Sequence, residues 1–194
     1  MIFTQEAVRK WKRKFSLGLF FASALFTIGQ GAQVTLAQSV MPVDPAQARI
    51  QKEVRHELVM LPYVTVFDNM AFRVQGDTVT LMGDVTQPVL KSGAENVVKH
   101  IEGVTQVVNK INVLPPSPMD NQSRVALYRA IYGFPALEKY AVGVQRPIRI
   151  IVNMGKVTLE GVVDTQADKD MVGLRANSVP NIFSVTNNLQ VGQQ

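Results

Sequence analysis

The heptapeptide VTLMGDV, Val79 to Val85, returns downstream as VTLEGVV, Val157 to Val163. A chain that writes one strand-like segment twice has to be read first as a duplication. Val79 and Val157 stand 78 residues apart, and the offset holds onward without a gap: Val107, Asn109, Ile111 and Val113 fall on Val185, Asn187, Leu189 and Val191. Upstream the offset drops to 73, where Leu61-Pro62 meets Phe134-Pro135, so the second copy carries five extra residues ahead of its hairpin. A repeat of this length is a domain, not a solenoid unit. A copy of roughly 70 residues buries only about 60% of its unfolded surface and is marginal alone. Packing one copy on the other would help both.

Within each copy the apolar spacing changes in the same order. Ile50, Val54, Leu58 and Leu61 recur at helical spacing, and Pro62 ends the run. FRVQGDTVTLMG is a hairpin about Gln75-Gly76-Asp77-Thr78, with Val79, Leu81, Gly83 and Val85 on one face of its second arm. Pro88 starts a second helix with an apolar stripe of Ala94, Val97, Val98 and Ile101, and Gly103 is expected as its C-cap. Val107, Ile111 and Val113 then alternate along a third strand. The second copy repeats the order: a helix near Arg124 to Gly133, the hairpin IRIIVNMGKVTLEG, a helix from Asp168 to Ser178 and a strand from Ser184 to Val191. Here Asn181 stands in the place of Gly103, and asparagine tolerates the left-handed turn next best. The hairpin is antiparallel and the crossover through the helix parallel and right-handed. The expected fold is therefore α+β: two tandem αββαβ sandwiches, each a three-stranded mixed sheet covered by two helices. Pro115-Pro116-Ser117-Pro118 reads as a stiff spacer. The expected division is domains at 46–114 and 121–192, a linker at 115–120 and a leading segment at 1–37.

The formal charge of +5 is set largely by that leading segment. Arg9, Lys10, Lys12, Arg13 and Lys14 precede the apolar run Leu17 to Ile28, and Thr35-Leu36-Ala37 offers small residues at an exit. These are the three parts of a secretory signal peptide. At ~1.5 Å per residue the run spans roughly 18 Å, short of a ~30 Å bilayer core, so a retained anchor is the lesser reading. Beyond residue 37, 15 basic and 14 acidic side chains remain, which excludes the strongly basic footprint of a nucleic-acid binder. The chain has no cysteine. That excludes disulfides, thiolate metal ligands, cysteine nucleophiles and a lipidated cysteine, and favours a free periplasmic protein over a lipoprotein.

Enzymatic chemistry has little to stand on. His56 and His100 lie in the helices of the first copy without counterparts in the second, and solvated helix histidines are the simpler reading. Asp164, Asp168 and Asp170 gather where a helix begins, where acids complement the helix dipole. Gly76-Asp77 and Met154-Gly155 are hairpin turns without the pattern of a phosphate-binding loop. No catalytic residue, metal site, cofactor or small-molecule substrate is expected, and a hydrolase would need a nucleophile-and-base pair that is not displayed.

One stretch rises above this background, Arg124 to Arg149. It holds Tyr128, Tyr132, Phe134 and Tyr140, interleaved with Arg124, Arg129, Lys139, Arg146 and Arg149 against a single acid, Glu138. The equivalent Arg49 to Phe72 is balanced by Glu53, Glu57 and Asp68. Rings with a polar tip suit a membrane–water interface, and each neighbouring cation is drawn to anionic head groups by about 1 kcal/mol. Arg124, Tyr128, Arg129, Tyr132, Lys139, Tyr140 and Arg146 are the candidate contacts for an anionic phospholipid surface or an envelope protein. The other reading keeps Tyr128 and Tyr132, one helical turn apart, in a core or between the two domains.

The repeated motif resembles the BON domain, named for bacterial osmotically inducible periplasmic and nodulation proteins. Its strand Val-Thr-Leu-x-Gly-x-Val matches Val79, Thr80, Leu81, Gly83 and Val85, and again Val157, Thr158, Leu159, Gly161 and Val163. Its second segment, Gly-Val-x-x-Val-x-Asn-x-Leu-x-Val, matches Gly103, Val104, Val107, Asn109, Ile111 and Val113, then Asn181, Ile182, Val185, Asn187, Leu189 and Val191. Asp77 departs from the hairpin glycine that the second copy keeps as Gly155, and Asn181 departs from the glycine of the Gly-Val pair. The resemblance implies a periplasmic, non-enzymatic module tied to envelope integrity and osmotic stress, some paired members of which bind anionic phospholipid through one domain. The motif residues are structural, so no binding residue transfers with them. The expectation is an exported envelope-maintenance protein that binds anionic phospholipid mainly through its second domain; the alternative is an adaptor docking on an envelope complex.

Overall fold

In the computed structural model, which describes residues 44–143 and 146–192, the first helix is set by its opening residues. The Asp44 carboxylate accepts from the Ala46 N–H (3.0 Å) and Pro45 takes the first helical position. The segment 1–37, read as a signal peptide, lies outside the described residues. Helix α1 (Pro45–Met60) buries Ile50, Val54 and Leu58 and stops ahead of Pro62. Strands β1 (Asn69–Gln75) and β2 (Thr78–Val85) pair antiparallel, from Asn69 opposite Asp84 to Gln75 opposite Thr78. Helix α2 (Pro88–Lys99) buries Leu90, Ala94 and Val98, and β3 (Gln106–Val113) returns parallel to β2. The sheet order is β1-β2-β3.

The second unit repeats the order with α3 (Pro118–Tyr132), β4 (Ile148–Asn153), β5 (Lys156–Val163), α4 (Gln166–Asn177), β6 (Ser184–Asn187) and β7 (Gln190–Val191). The stretch that carries its five extra residues includes a 3-10 helix, Pro135–Tyr140. Strand order is β4-β5-β6, with β7 also parallel to β5. The fold is thus α+β, in two successive αββαβ units, each with its own mixed sheet.

The duplicated heptapeptide is the central strand in both. Val79, Leu81 and Val85 are buried in one core and Val157, Leu159 and Val163 in the other. Its glycine is required by the neighbouring backbone: a Cβ on Gly83 would lie 2.1 Å from the Asn69 carbonyl oxygen, and one on Gly161 1.9 Å from that of Pro147. The motif asparagine is a clamp between strand and helix. The Asn109 amide donates to the Lys91 carbonyl (2.9 Å) while its oxygen accepts from the Ile111 N–H (3.1 Å); Asn187 repeats this with Lys169 (2.8 Å) and Leu189 (3.2 Å).

Three local expectations change. Helix α3 starts at Pro118, well before Arg124, because the Ser117 hydroxyl accepts from the Asp120 N–H (3.1 Å) and turns the end of the spacer into a helix cap. Helix α2 closes on His100, and Gly103 (φ +87°) turns the chain beyond it instead of capping the helix. The last strand is interrupted between β6 and β7, where buried Leu189 follows Asn188, whose N–H donates to the Leu159 carbonyl (2.9 Å). Asn181 adopts the left-handed conformation its place in the repeat demands (φ +64°).

The two units are joined by the loop between α1 and β1. Val66 is buried in the core of the second unit, and its carbonyl accepts from the Ile150 N–H (2.8 Å) on the outer edge of β4. Arg149 donates to the Thr65 carbonyl (2.8 Å), and Phe67 meets Tyr128 edge-on, centroids 6.5 Å apart. The first unit thereby covers a strand edge of the second that would otherwise be open.

Candidate functional site

The basic, aromatic stretch is divided by the fold between interior and surface. Arg124, one turn along α3 from Asp120, is only 5% exposed. Its Nη2 donates to the Val152 carbonyl (2.7 Å) and its Nη1 to Asn121 Oδ1 (2.6 Å), while Nε is buried without a partner. Burial lowers its pKa, against the pull of Asp120 and Asp68. In the first unit the corresponding carbonyl, that of Val74, accepts from Gln47 (3.0 Å), one turn earlier in its helix than the place of Arg124. Arg124 is a strut between helix and strand.

Tyr132 lies in the same core, its hydroxyl donating to the Ile148 carbonyl (2.6 Å), and burial pushes the phenol well above its ordinary pKa. Tyr140 is also buried; it donates to Asp168 (2.8 Å) and accepts from the Asp164 N–H (2.8 Å). Tyr128 is half-buried between Phe67 and Tyr132, 5.1 Å from the latter ring. Burial therefore corrects the expectation for Arg124, Tyr132 and Tyr140, which present no face to a partner. The remaining three cations differ among themselves. Arg129 is exposed; the Arg146 guanidinium lies over Tyr128 and Tyr132 (5.5 and 5.8 Å to the centroids). Lys139 is exposed but pairs with Asp164 and Asp168, 2.9 Å each, and those carboxylates raise its pKa. The seven residues do not form one patch.

Asp168 shows why. It sits three residues past the helix cap Thr165, whose hydroxyl accepts from its N–H (3.1 Å) and donates to its carboxylate (2.8 Å). Burial alone would raise its pKa; the hydrogen bonds from Lys139, Thr165 and Tyr140 outweigh that and lower it. A carboxyl more acidic folded than unfolded stabilises the fold above its unfolded pKa and loses that contribution as pH falls through the folded value. Asp168→Asn should accordingly lower the thermal midpoint at pH 7, with the deficit closing as pH drops below roughly 4. A pH series of melting curves on both proteins checks it; a deficit constant across the range would show that the charge is not what Asp168 contributes.

Other features escape a reading along the chain. Both oxygens of buried Asp120 hold the β4–β5 turn, accepting from the N–H groups of Met154 and Gly155 (2.9 Å each). Exposed large apolar side chains are concentrated in the second unit, which carries seven of the ten among the described residues, Phe183 (81%) and Met154 (69%) included. The sequence signal lies in the changes between the copies, from Asp77 to Gly155 and from Thr105 to Phe183.

In the first unit an open groove of about 740 Å³ between α1 and α2 is lined by Arg49, Lys52, Glu53, His56, Glu57 and His100, among others. Its charges answer one another: Arg49 pairs with Glu53 (3.1 Å) and Glu102 (3.7 Å). Among the described residues no group of three or more histidines and carboxylates could hold a metal ion.

Comparison with known proteins gives one family. The BON domain model matches residues 46–115 and 138–193. No curated protein matches the chain. Among solved structures it is similar to CdsD, a structural protein of the type III secretion system of Chlamydia trachomatis, at 11% identity and a TM-score of 0.30 over 74% of this chain and 92% of that one. The C-terminal domain of CdsD is similar at 14% identity and a TM-score of 0.28, over 78% of this chain and 100% of that one.

Proposed function

The chain belongs to the BON-domain family, and from that premise we propose that it is an exported, non-enzymatic envelope-maintenance protein whose second domain binds anionic phospholipid. Proteins of this family are often periplasmic or membrane-associated, and the family is in general non-catalytic. No helix among the described residues is long and apolar enough to cross a membrane, so the contact proposed is a peripheral one. The observation that carries the reading is the asymmetry of the two surfaces: the second domain holds most of the exposed large apolar side chains, together with exposed Arg129. Apolar groups flanked by cations suit an anionic interface.

Co-sedimentation with vesicles tests it, using the chain from residue 38 onward, because Leu17 to Ile28 would itself partition into lipid. Binding to phosphatidylglycerol vesicles is expected at low salt, weakening as ionic strength rises, and Arg129→Glu should weaken it by roughly fivefold or more. No binding to anionic vesicles at low salt overturns the reading. An adaptor role has one observation of its own: β3, eight residues long, is an edge strand, open to strand addition from a partner. Capture of one defined envelope protein, with vesicles left unbound, would favour that role.

A further inference from the structure

The β-turn at one end of each domain has changed in kind between the copies. In the first domain it is Gln75-Gly76-Asp77-Thr78, flanked by Thr105, whose hydroxyl donates to the Asp77 carboxylate (2.6 Å) and whose N–H donates to the Asp77 carbonyl (3.0 Å). At the same places the second domain has Asn153-Met154-Gly155-Lys156 and Phe183. The acid has become glycine, one threonine lysine and the other phenylalanine. A polar, anionic end has turned apolar and cationic.

These apolar groups are held outward. Phe183 is 81% exposed and Met154 69%, yet neither hangs free of the fold. The Phe183 N–H donates to the Gly155 carbonyl (2.9 Å), and its ring lies so close over Gly155 that a Cβ there would meet Cδ2 at 2.6 Å. Loss of the Asp77 side chain and gain of the ring are thus one change: Gly155 is the seat of Phe183. Met154 stands at φ +50° with Gly155 at φ +71°, a turn whose first position ordinarily takes asparagine, aspartate or glycine. A strained backbone spent on an exposed thioether side chain does nothing for the core. The turn is fixed from below by buried Asp120, whose carboxylate accepts from the Met154 and Gly155 N–H groups. Met119, beside Asp120 in sequence, is exposed as well.

We propose that Met154 and Phe183, with Lys156 at their rim, form a preorganised apolar knob that enters the boundary between head groups and acyl chains of an anionic bilayer. This rests on the phospholipid reading above and assigns its leading edge to the β4–β5 turn instead of the basic, aromatic stretch. Charge selects the occupant: Lys156 is the one titratable side chain of the turn, and its complement is an anionic surface. The shape agrees, since a projecting turn with a seated ring suits a deformable interface.

The test restores two residues of the first domain, Gly76 and Thr105, at the corresponding places of the second. Phe183→Thr combined with Met154→Gly, in the chain from residue 38 onward, should weaken binding to phosphatidylglycerol vesicles by at least about tenfold. Unchanged binding of this variant overturns the knob and leaves the phospholipid reading standing; failure of the unaltered chain to bind at all overturns both. A second measurement does not depend on affinity. The single tryptophan of the chain is Trp11, so Phe183→Trp in the shortened chain introduces a lone indole. Its emission should shift to the blue on vesicles and be quenched by brominated acyl chains. An unshifted, unquenched emission from vesicle-bound protein overturns the proposal, as does a shift given by a protein partner and not by lipid.

Discussion

Gly161→Ala is expected to destabilise the protein by at least about 4 kcal/mol, a loss of roughly 10 °C in Tm. Two costs add. The residue holds φ +126°, a backbone region that residues with a side chain hardly enter. The new methyl would stand 1.9 Å from the Pro147 carbonyl oxygen and 3.0 Å from its carbon, and neither is the end of a flexible side chain that could move aside. Relief requires β4 to separate from β5 where Ile148 pairs with Gly161, beside the buried Ile148 and Val163. A domain of this size has no reserve for such a shift. The same chemical change at Gly93 should act in the opposite direction. Gly93 is inside α2, and its added methyl would meet only Leu61 Cδ2, at an ordinary 3.5 Å. Alanine there should stabilise by about 0.5–1 kcal/mol through lower chain entropy in the unfolded state. Denaturant unfolding of both variants, followed by circular dichroism, measures the pair. A Gly161→Ala midpoint close to that of the parent would mean that the strand carries no such close approach.

That glycine also marks how far the sequence can be read. Its recurrence at a fixed offset, the alternation of Val79, Leu81 and Val85, and the stripe on α2 are consequences of backbone period, and period is a property of neighbours in sequence. The architecture was therefore legible. The surface was not, because exposure depends on residues far apart in the chain. A count from Arg124 to Arg149 finds one acid, but Lys139 meets Asp164 and Asp168 across the fold, and Arg124 meets the Val152 carbonyl. Both enter a sequence tally as surface cations, and neither is a free one. Tyr132 and Tyr140 likewise carry their hydroxyls inward to Ile148 and Asp168. The knob is hidden for the converse reason. Phe183 looks like one more apolar residue at the start of a strand until the ring is seen standing over Gly155 with most of its surface in water.

Asp68→Ala should have the other large effect, and its signature is a change in cooperativity as well as in stability. Asp68 is 1% exposed, and its two oxygens accept four hydrogen bonds: from the N–H and hydroxyl of Thr65 (2.8 and 2.6 Å) and from those of Thr86 (2.7 and 2.8 Å). It thereby folds the loop that delivers Val66 to the core of the second domain, the Val66 carbonyl to Ile150 and the Thr65 carbonyl to Arg149. Its charge also faces Arg149, whose pKa burial depresses while Tyr132 and Asp68 oppose the shift. Alanine leaves donors of Thr65 and Thr86 without their acceptor and Arg149 without a counter-charge, at a cost of about 2–4 kcal/mol. Most of that loss falls on the joint and little on either core. The parent should therefore unfold in one transition by far-ultraviolet circular dichroism, which reports on both domains, and by tyrosine fluorescence, to which the second domain contributes three of the four tyrosines. In Asp68→Ala the two probes should separate into distinct transitions. Asp68→Asn, which keeps one oxygen acceptor, should fall between the two. Coincident transitions in Asp68→Ala at an unshifted midpoint would mean that the domains are held together by something other than this loop.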